Sequence, residues 1–334
     1  MGANKAIYFA CLFLLAVIAI TACHSGVKKA AISQGLKIDQ KIKVGSLTRE
    51  YDLFEPHGLS LGRKYPLVIS LHGHGGSKEY NSGTSGKKSP HKVFRDVGER
   101  EKFFVVYPQG EKGGDGRRGW NECRADAKSN PDTDDTAFIS QLIDQLVREY
   151  PIDPRRVYVV GTSNGGGMAV RLAIEIPDKL AAAASIVFTG AVNSECPKPK
   201  KPISMLFMNG TEDPFAPYNG GKVGKDKFER GTVLSVKQVI DLWLTTDGIK
   251  NKTPKVTQIP DRDPDDGTRV EVYFYSGGLQ GTEVVHYKVI GGGHVEPSLK
   301  ERMGRLWIRI VGKQNDDMET AEEVWKFFKN KVSI

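Results

Sequence analysis

Residues 157–167 read VYVVGTSNGGG. The apolar run Val157-Tyr158-Val159-Val160 has the pattern of a strand buried on both faces. It runs into a turn in which Gly161, Gly165, Gly166 and Gly167 surround Ser163. A phosphate-binding loop would need GxxxxGK followed by Ser or Thr, and no Lys-Ser or Lys-Thr follows these glycines. A dinucleotide-binding turn would need GxGxxG, and Ser163 occupies the place of its second glycine. The pattern that fits is GxSxG, with Gly161, Ser163 and Gly165 in register. In that motif the chain turns sharply from strand to helix, and small flanking residues let the serine hydroxyl stand clear of the sheet. A helix over 165–176, stopped by Pro177, follows as the motif requires.

A serine at its ordinary pKa is a weak nucleophile and needs a base that is itself oriented by an acid. After such an elbow the acid comes first and the histidine second, each in a loop behind a later strand. The apolar run Ile203–Met208 leads into Asn209-Gly-Thr-Glu-Asp213-Pro214, and Val284–Ile290 leads into Gly291-Gly-Gly-His294. These make Asp213 the expected acid and His294 the expected base. Glu212 competes with Asp213, which is preferred because Pro214 fixes the turn behind it. Acyl transfer also needs donors for an oxyanion. The backbone N–H groups of Asn164, next to the nucleophile, and of His74, in the loop Leu71-His-Gly-His-Gly-Gly76, are the expected pair. His72 and His74 lack acidic or cysteine neighbours, so no metal is expected, and the chemistry needs no cofactor.

The rest of the chain supplies a frame for these residues. Candidate strands at Thr48–Phe54, Pro66–Leu71, Phe103–Tyr107, Arg156–Val160, Ala183–Phe188, Ile203–Met208 and Val284–Ile290 alternate with helical patterns, the signature of βαβ units. Between the third and fourth, Phe138, Ile139, Leu142, Ile143, Leu146, Val147 and Tyr150 recur at helical spacing. Asp134 and Asp135 can cap that helix, and Pro151 stops it. A last helix from about Asp317 turns Met318, Ala321, Val324, Trp325 and Phe328 inward. The stretches Gly76–Lys92, Gly110–Asp135 and Thr253–Thr268 read as long loops, the last of them a solvated turn whose aspartates do not match a calcium loop. Trp120, in the second loop, and Tyr218 are candidates for lining a substrate pocket.

The chain has 334 residues, 39% hydrophobic and 26% charged, which supports a sizeable core, and its net charge of +8 is spread along its length. With no long basic run it has no nucleic-acid footprint. Lys5 followed by the apolar run Ala6–Ala22 reads as a signal peptide over 1–22. The ending Ile20-Thr-Ala-Cys23 resembles a lipobox, so Cys23 is expected to carry a lipid, His24 points to the outer membrane, and 23–44 reads as a polar tether. The membrane is then met through the lipid alone. An uncleaved membrane anchor is the competing reading. Of four cysteines, Cys123 and Cys196 fall in the folded part; in an oxidising compartment they suggest a disulfide, with two buried thiols as the alternative.

Taken together, LHGHGGS, DDTAFISQLIDQL, YPIDPRRVYVVGTSNGGGMA, NGTEDPFAPYNGG and GGGH resemble the polyhydroxybutyrate depolymerase and feruloyl esterase type of α/β-hydrolase, in carbohydrate esterase family one. The resemblance runs from about Lys43 to the C-terminus. It implies a single catalytic domain over 45–334, with a mostly parallel sheet covered by helices on both faces. It further implies Ser163, Asp213 and His294 as a triad, a paired Cys123 and Cys196, and an ester substrate of plant-polysaccharide or polyester origin. The family's GGGHTWPG is GGGHVEPS here, so its tryptophan is absent and Glu296 is expected near the site. An acyltransferase of the same fold and a non-catalytic envelope or carbohydrate-binding protein are the alternative readings.

Overall fold

The computed structural model describes residues 35–224 and 229–333. The leader at 1–22, Cys23 and the first part of the tether lie outside the described residues. The principal strands are β1 (Leu36–Val44), β2 (Leu47–Phe54), β3 (Tyr65–Leu71), β4 (Phe104–Pro108), β5 (Ile152–Thr162), β6 (Ala182–Ile186) and β7 (Ser204–Gly210), followed by β8 (Lys255–Gln258), β9 (Arg269–Tyr275) and β10 (Val284–Ile290). They form one ten-stranded sheet in the order β1-β2-β4-β3-β5-β6-β7-β10-β9-β8. From β4 through β3, β5, β6 and β7 to β10 neighbours run parallel. Antiparallel strands finish both edges.

Parallel central strands must be covered on both faces, and they are all but continuously apolar here. One face carries α3 (Asp135–Glu149), α4 (Asn164–Glu175) and α5 (Val236–Thr246), which bury Phe138, Leu142, Met168, Leu172, Val239 and Trp243. The other carries α2 (Val93–Glu101) and α7 (Thr320–Phe328), which bury Phe94, Val97, Val324 and Phe328. Two shorter helices, α1 (Lys78–Ser82) and α6 (Arg305–Val311), sit in the loops. The Asp134 carboxylate accepts from Ala137 N–H at 2.8 Å and so caps α3 as expected.

Three expectations need correction. Residues 36–44, assigned to the tether, form edge strand β1, paired antiparallel with β2. Leu36 and Ile42 are its buried apolar residues and a bulge interrupts its register, so no alternation marks it. Thr253–Thr268 holds β8, a strand exposed along its whole length and therefore without a hydrophobic pattern. Gly76–Lys92 contains α1 and a 3-10 turn at Pro90–Lys92. By contrast β9, with Val270 and Val272 buried in alternation, and α5, with a capping box between Ser235 and Gln238, lie outside the expected strands and helices although both carry local signals.

Cys123 and Cys196 are bonded across 73 residues, with Cα atoms 5.2 Å apart. The link ties the loop after β4 to the segment after β6, both at the carboxyl end of the sheet. Replacing both cysteines by alanine is expected to cost about 2–4 kcal/mol by releasing the unfolded chain. Urea unfolding of the double variant beside the parent checks this.

Candidate active site

The strand–turn–helix predicted at GTSNGGG is β5, Ser163 and α4. Ser163 has φ 55° and ψ −122°, a conformation that costs a non-glycine residue about 1–3 kcal/mol. Its N–H donates to the Ile186 carbonyl at 2.8 Å, and its carbonyl accepts from Gly167 N–H at 3.0 Å. A Cβ on Gly161 would stand 2.1 Å from the Gly165 carbonyl oxygen, and one on Gly165 would stand 2.5 Å from that of His72. Neither position can carry a side chain, and the helix can therefore start directly over the strand ends.

The loops after β7 and β10 converge on this serine. His294 Nε2 lies 2.8 Å from Ser163 Oγ, and its Nδ1 lies 2.7 Å from Asp213 Oδ2. The other oxygen of Asp213 accepts the N–H groups of Phe215 and Ala216, each at 2.8 Å. This carboxylate is buried and fixed in its turn, whereas Glu212 faces solvent. His294 itself is held by its backbone N–H, which donates to the Val311 carbonyl at 2.6 Å. The arrangement can pass a proton from Ser163 Oγ to His294 while a carboxylate stabilises the imidazolium.

His74 and Asn164 also meet. A Cβ on Gly119 would lie 2.9 Å from Asn164 Oδ1 and 3.3 Å from His74 Nδ1, so both side chains converge on one point. Gly73, the residue before His74, lies against the nucleophile: a Cβ there would be 3.4 Å from Ser163 Cβ. The Asn164 side chain is committed to the loop after β4. It accepts from Trp120 N–H at 2.6 Å and donates to the Trp120 carbonyl at 3.0 Å. Its own N–H, in the first turn of α4, has no intrahelical acceptor. The His74 ring is anchored by Asp115 at 2.8 Å, a contact between residues 41 positions apart that has no local signal.

The expected pocket residues stand elsewhere. Trp120 is fully buried; its indole N–H donates to the His72 carbonyl at 2.8 Å and its ring packs on His72. It braces the loop that carries His74 and is shut off from solvent. His72 is held by the Gly73 carbonyl and by Gly110 N–H, and burial pushes its pKa down to about 4. Glu296 is buried and accepts a hydrogen bond from Thr162, on the side of the elbow away from solvent. Tyr218 is half-buried against His286 and the core beneath α5. A groove of about 1020 Å³ is lined by Ile203, Ser204, Glu283 and Val285, at the amino ends of β7 and β10, so it opens away from Ser163.

A serine on a strand–helix elbow, with an acid and a histidine after later strands of a parallel sheet, defines the α/β-hydrolase class. Residues 49–217, just over half the chain, match the family model described as Esterase PHB depolymerase. The chain belongs to that family and is a carboxylic ester hydrolase of the serine-hydrolase class. A protein of Nocardia uniformis subsp. tsuyamanensis bearing an esterase name, NocK, is 27% identical over 313 residues, covering 90% of this chain and 85% of its own. Feruloyl esterase B of Piromyces equi is 28% identical over 247 residues, covering 72% of this chain and 41% of its own. In fold the chain is similar to an acetyl xylan esterase from Aspergillus awamori, with TM-score 0.50 and 14% identity over 82% of this chain and 97% of that one. A thermostable esterase gives TM-score 0.51 and 18% identity over 90% and 64%.

The contacts of Trp120 separate a brace from a pocket wall. Trp120→Ala is expected to cost about 3–5 kcal/mol of stability, as for other large-to-alanine changes in cores. Chemical denaturation reads it; a pocket residue would leave stability near that of the parent and change KM instead.

Proposed function

We propose that this chain hydrolyses feruloyl or acetyl esters of carbohydrates through an acyl-enzyme on Ser163. The observation that carries the reading is the line Ser163 Oγ–His294 Nε2, 2.8 Å, and His294 Nδ1–Asp213 Oδ2, 2.7 Å. Ser163 Oγ attacks the ester carbonyl carbon as its proton passes to His294 Nε2. The N–H groups of His74 and Asn164 receive the oxyanion, a contribution of about 2.7–4 kcal/mol for each donor in comparable sites. The carbonyl re-forms, the bond to the alcohol oxygen breaks, and His294 returns the proton to that oxygen. Water then repeats the sequence on the acyl-enzyme and frees Ser163. Asp213 accepts Nδ1–H throughout and holds the tautomer. The substrate class follows the names of the feruloyl and acetyl xylan esterases to which the chain is similar. In this reading the apolar leader over 1–22 and the Cys23 motif would carry the enzyme outside the cytoplasm on a lipid anchor.

A panel of acetyl, butyryl and feruloyl esters, with a fluorophosphonate probe for the serine, tests the reading. The wild-type protein should take the label and cleave feruloyl or acetyl esters faster than butyryl. Ser163→Ala should lose both activities, and Asp213→Asn should lower kcat by about 10⁴-fold. A wild-type protein that takes no label, or a Ser163→Ala variant that still takes it, would overturn the mechanism. Butyryl esters cleaved fastest would overturn the substrate class alone.

A further inference from the structure

Behind the elbow lies a group of polar residues that the reaction above does not use. His91 Nε2 is 2.6 Å from Thr162 Oγ1, and Thr162 Oγ1 donates to Glu296 Oε1 at 2.5 Å. Across the imidazole, Ser70 Oγ is 2.7 Å from His91 Nδ1 and accepts from Asn81 Nδ2 at 3.2 Å. Ser70, Asn81, His91 and Glu296 are all buried. With Thr162 they come from five segments: β3, α1, the turn before α2, the last residue of β5, and the loop two residues beyond His294.

Counting protons gives the chain one direction. The Asn81 amide nitrogen can only donate, so the Ser70 hydroxyl accepts from it and gives its own proton to His91 Nδ1. The ring proton of His91 then sits on Nε2 and is donated to Thr162 Oγ1. Thr162 passes its single proton to Glu296, which must be a carboxylate to end the series. Burial works to raise the Glu296 carboxyl, but His91, whose Nε2 also lies 3.4 Å from Oε1, and the hydrogen bond from Thr162 outweigh it and hold the group below its usual range. Each of the five side chains has a hydrogen-bond partner within the group, which is what burial demands.

Two features make this chain more than filling. Thr162 precedes Ser163, whose strained backbone persists only if its surroundings over-determine it. His294 follows Gly291, Gly292 and Gly293, which have no side chains with which to anchor their loop. Glu296 supplies an anchor two residues later, and it closes on the residue before the nucleophile. We infer that Ser70, His91, Thr162 and Glu296 are positioning residues whose hydrogen-bonded chain sets the spacing between Ser163 and His294. None of them touches the reacting atoms. The inference rests on the esterase reading of Ser163, His294 and Asp213.

The test is turnover per active serine, with sites counted by fluorophosphonate titration so that unfolded protein drops out. Thr162→Val keeps the side-chain shape and removes the hydroxyl; Glu296→Leu removes the terminal acceptor. Each should lower kcat per titrated site about ten-fold or more while KM stays within about two-fold, because small misplacements of reacting groups fall on the chemical step. Thr162→Ser should bring turnover back to within about three-fold of wild type, and the Thr162→Val/Glu296→Leu double variant should be little worse than the poorer single, as for residues in one network. Turnover per site within about two-fold of wild type in Thr162→Val, or single losses that multiply in the double variant, would overturn the inference. If Glu296→Leu fails to fold, Thr162→Val and Thr162→Ser decide alone. Failure of the esterase reading looks different, since the wild-type protein would then neither label nor cleave esters.

Discussion

Gly161 and Gly165 cannot carry side chains, and the architecture of the site follows from that steric constraint. With a carbonyl oxygen 2.1 Å from where a Cβ on Gly161 would stand, helix α4 can begin only if both positions are bare. The close approach points the first turn of α4 at the carboxyl ends of β3 and β5, where the loops are. It also forces Ser163 to positive φ, so the residue expected to act as nucleophile is the one under backbone strain. The compensation is distributed: a sheet-like hydrogen bond to Ile186, a helical one from Gly167, and the buried contacts of Thr162.

The side chains assembled around this turn fall into two depths. In the proposed mechanism Ser163, His294 and the amides of Asn164 and His74 form the reactive layer. Beneath it lie Asp213, Trp120, His72, Asp115, His91 and Glu296, most of them buried and each with a named partner. Polar groups removed from water must be satisfied or they destabilise the fold by about 1–3 kcal/mol each. That requirement makes the lower layer rigid, and a rigid lower layer keeps the reactive one in register. His72 shows the logic: its ring accepts from Gly110 N–H, its carbonyl accepts the Trp120 indole, and burial keeps it neutral.

Much of this was legible in the sequence because the responsible signals are local. An apolar run followed by GxSxG, with Asp213 before Pro214 and His294 after three glycines, each behind a later apolar strand, specifies a parallel sheet and a line of three residues without tertiary information. What failed to show depends on distant partners. Trp120 reads as a pocket-lining aromatic in a long loop until His72 and Asn164 are brought against it. Glu296 sits two residues from His294, which suggests a place at the site, but the loop turns its carboxylate inward toward Thr162 and His91. Ser70 and His91 gave no signal, since a serine in an apolar strand and a histidine before a helix are ordinary features. The edges of the sheet were hidden for a different reason: β1 is bulged and β8 wholly exposed, so neither carries the alternation by which strands are recognised.

The pairing of β7 with β10 bears on what counts as a unit in this protein. The family match ends at residue 217, yet β10, which lies parallel to β7 from Val284 to Val289, arrives some seventy residues later in the chain. A polypeptide cut at that boundary would keep Ser163 and Asp213 and lose the histidine. It would also leave β7, apolar along both faces, as an open sheet edge, the kind of surface that templates pairing between chains. Residues 49–217 taken alone therefore hold neither the whole sheet nor all three residues of the proposed triad. A shortened form that keeps the proposed triad has to carry the sheet through β10 to His294.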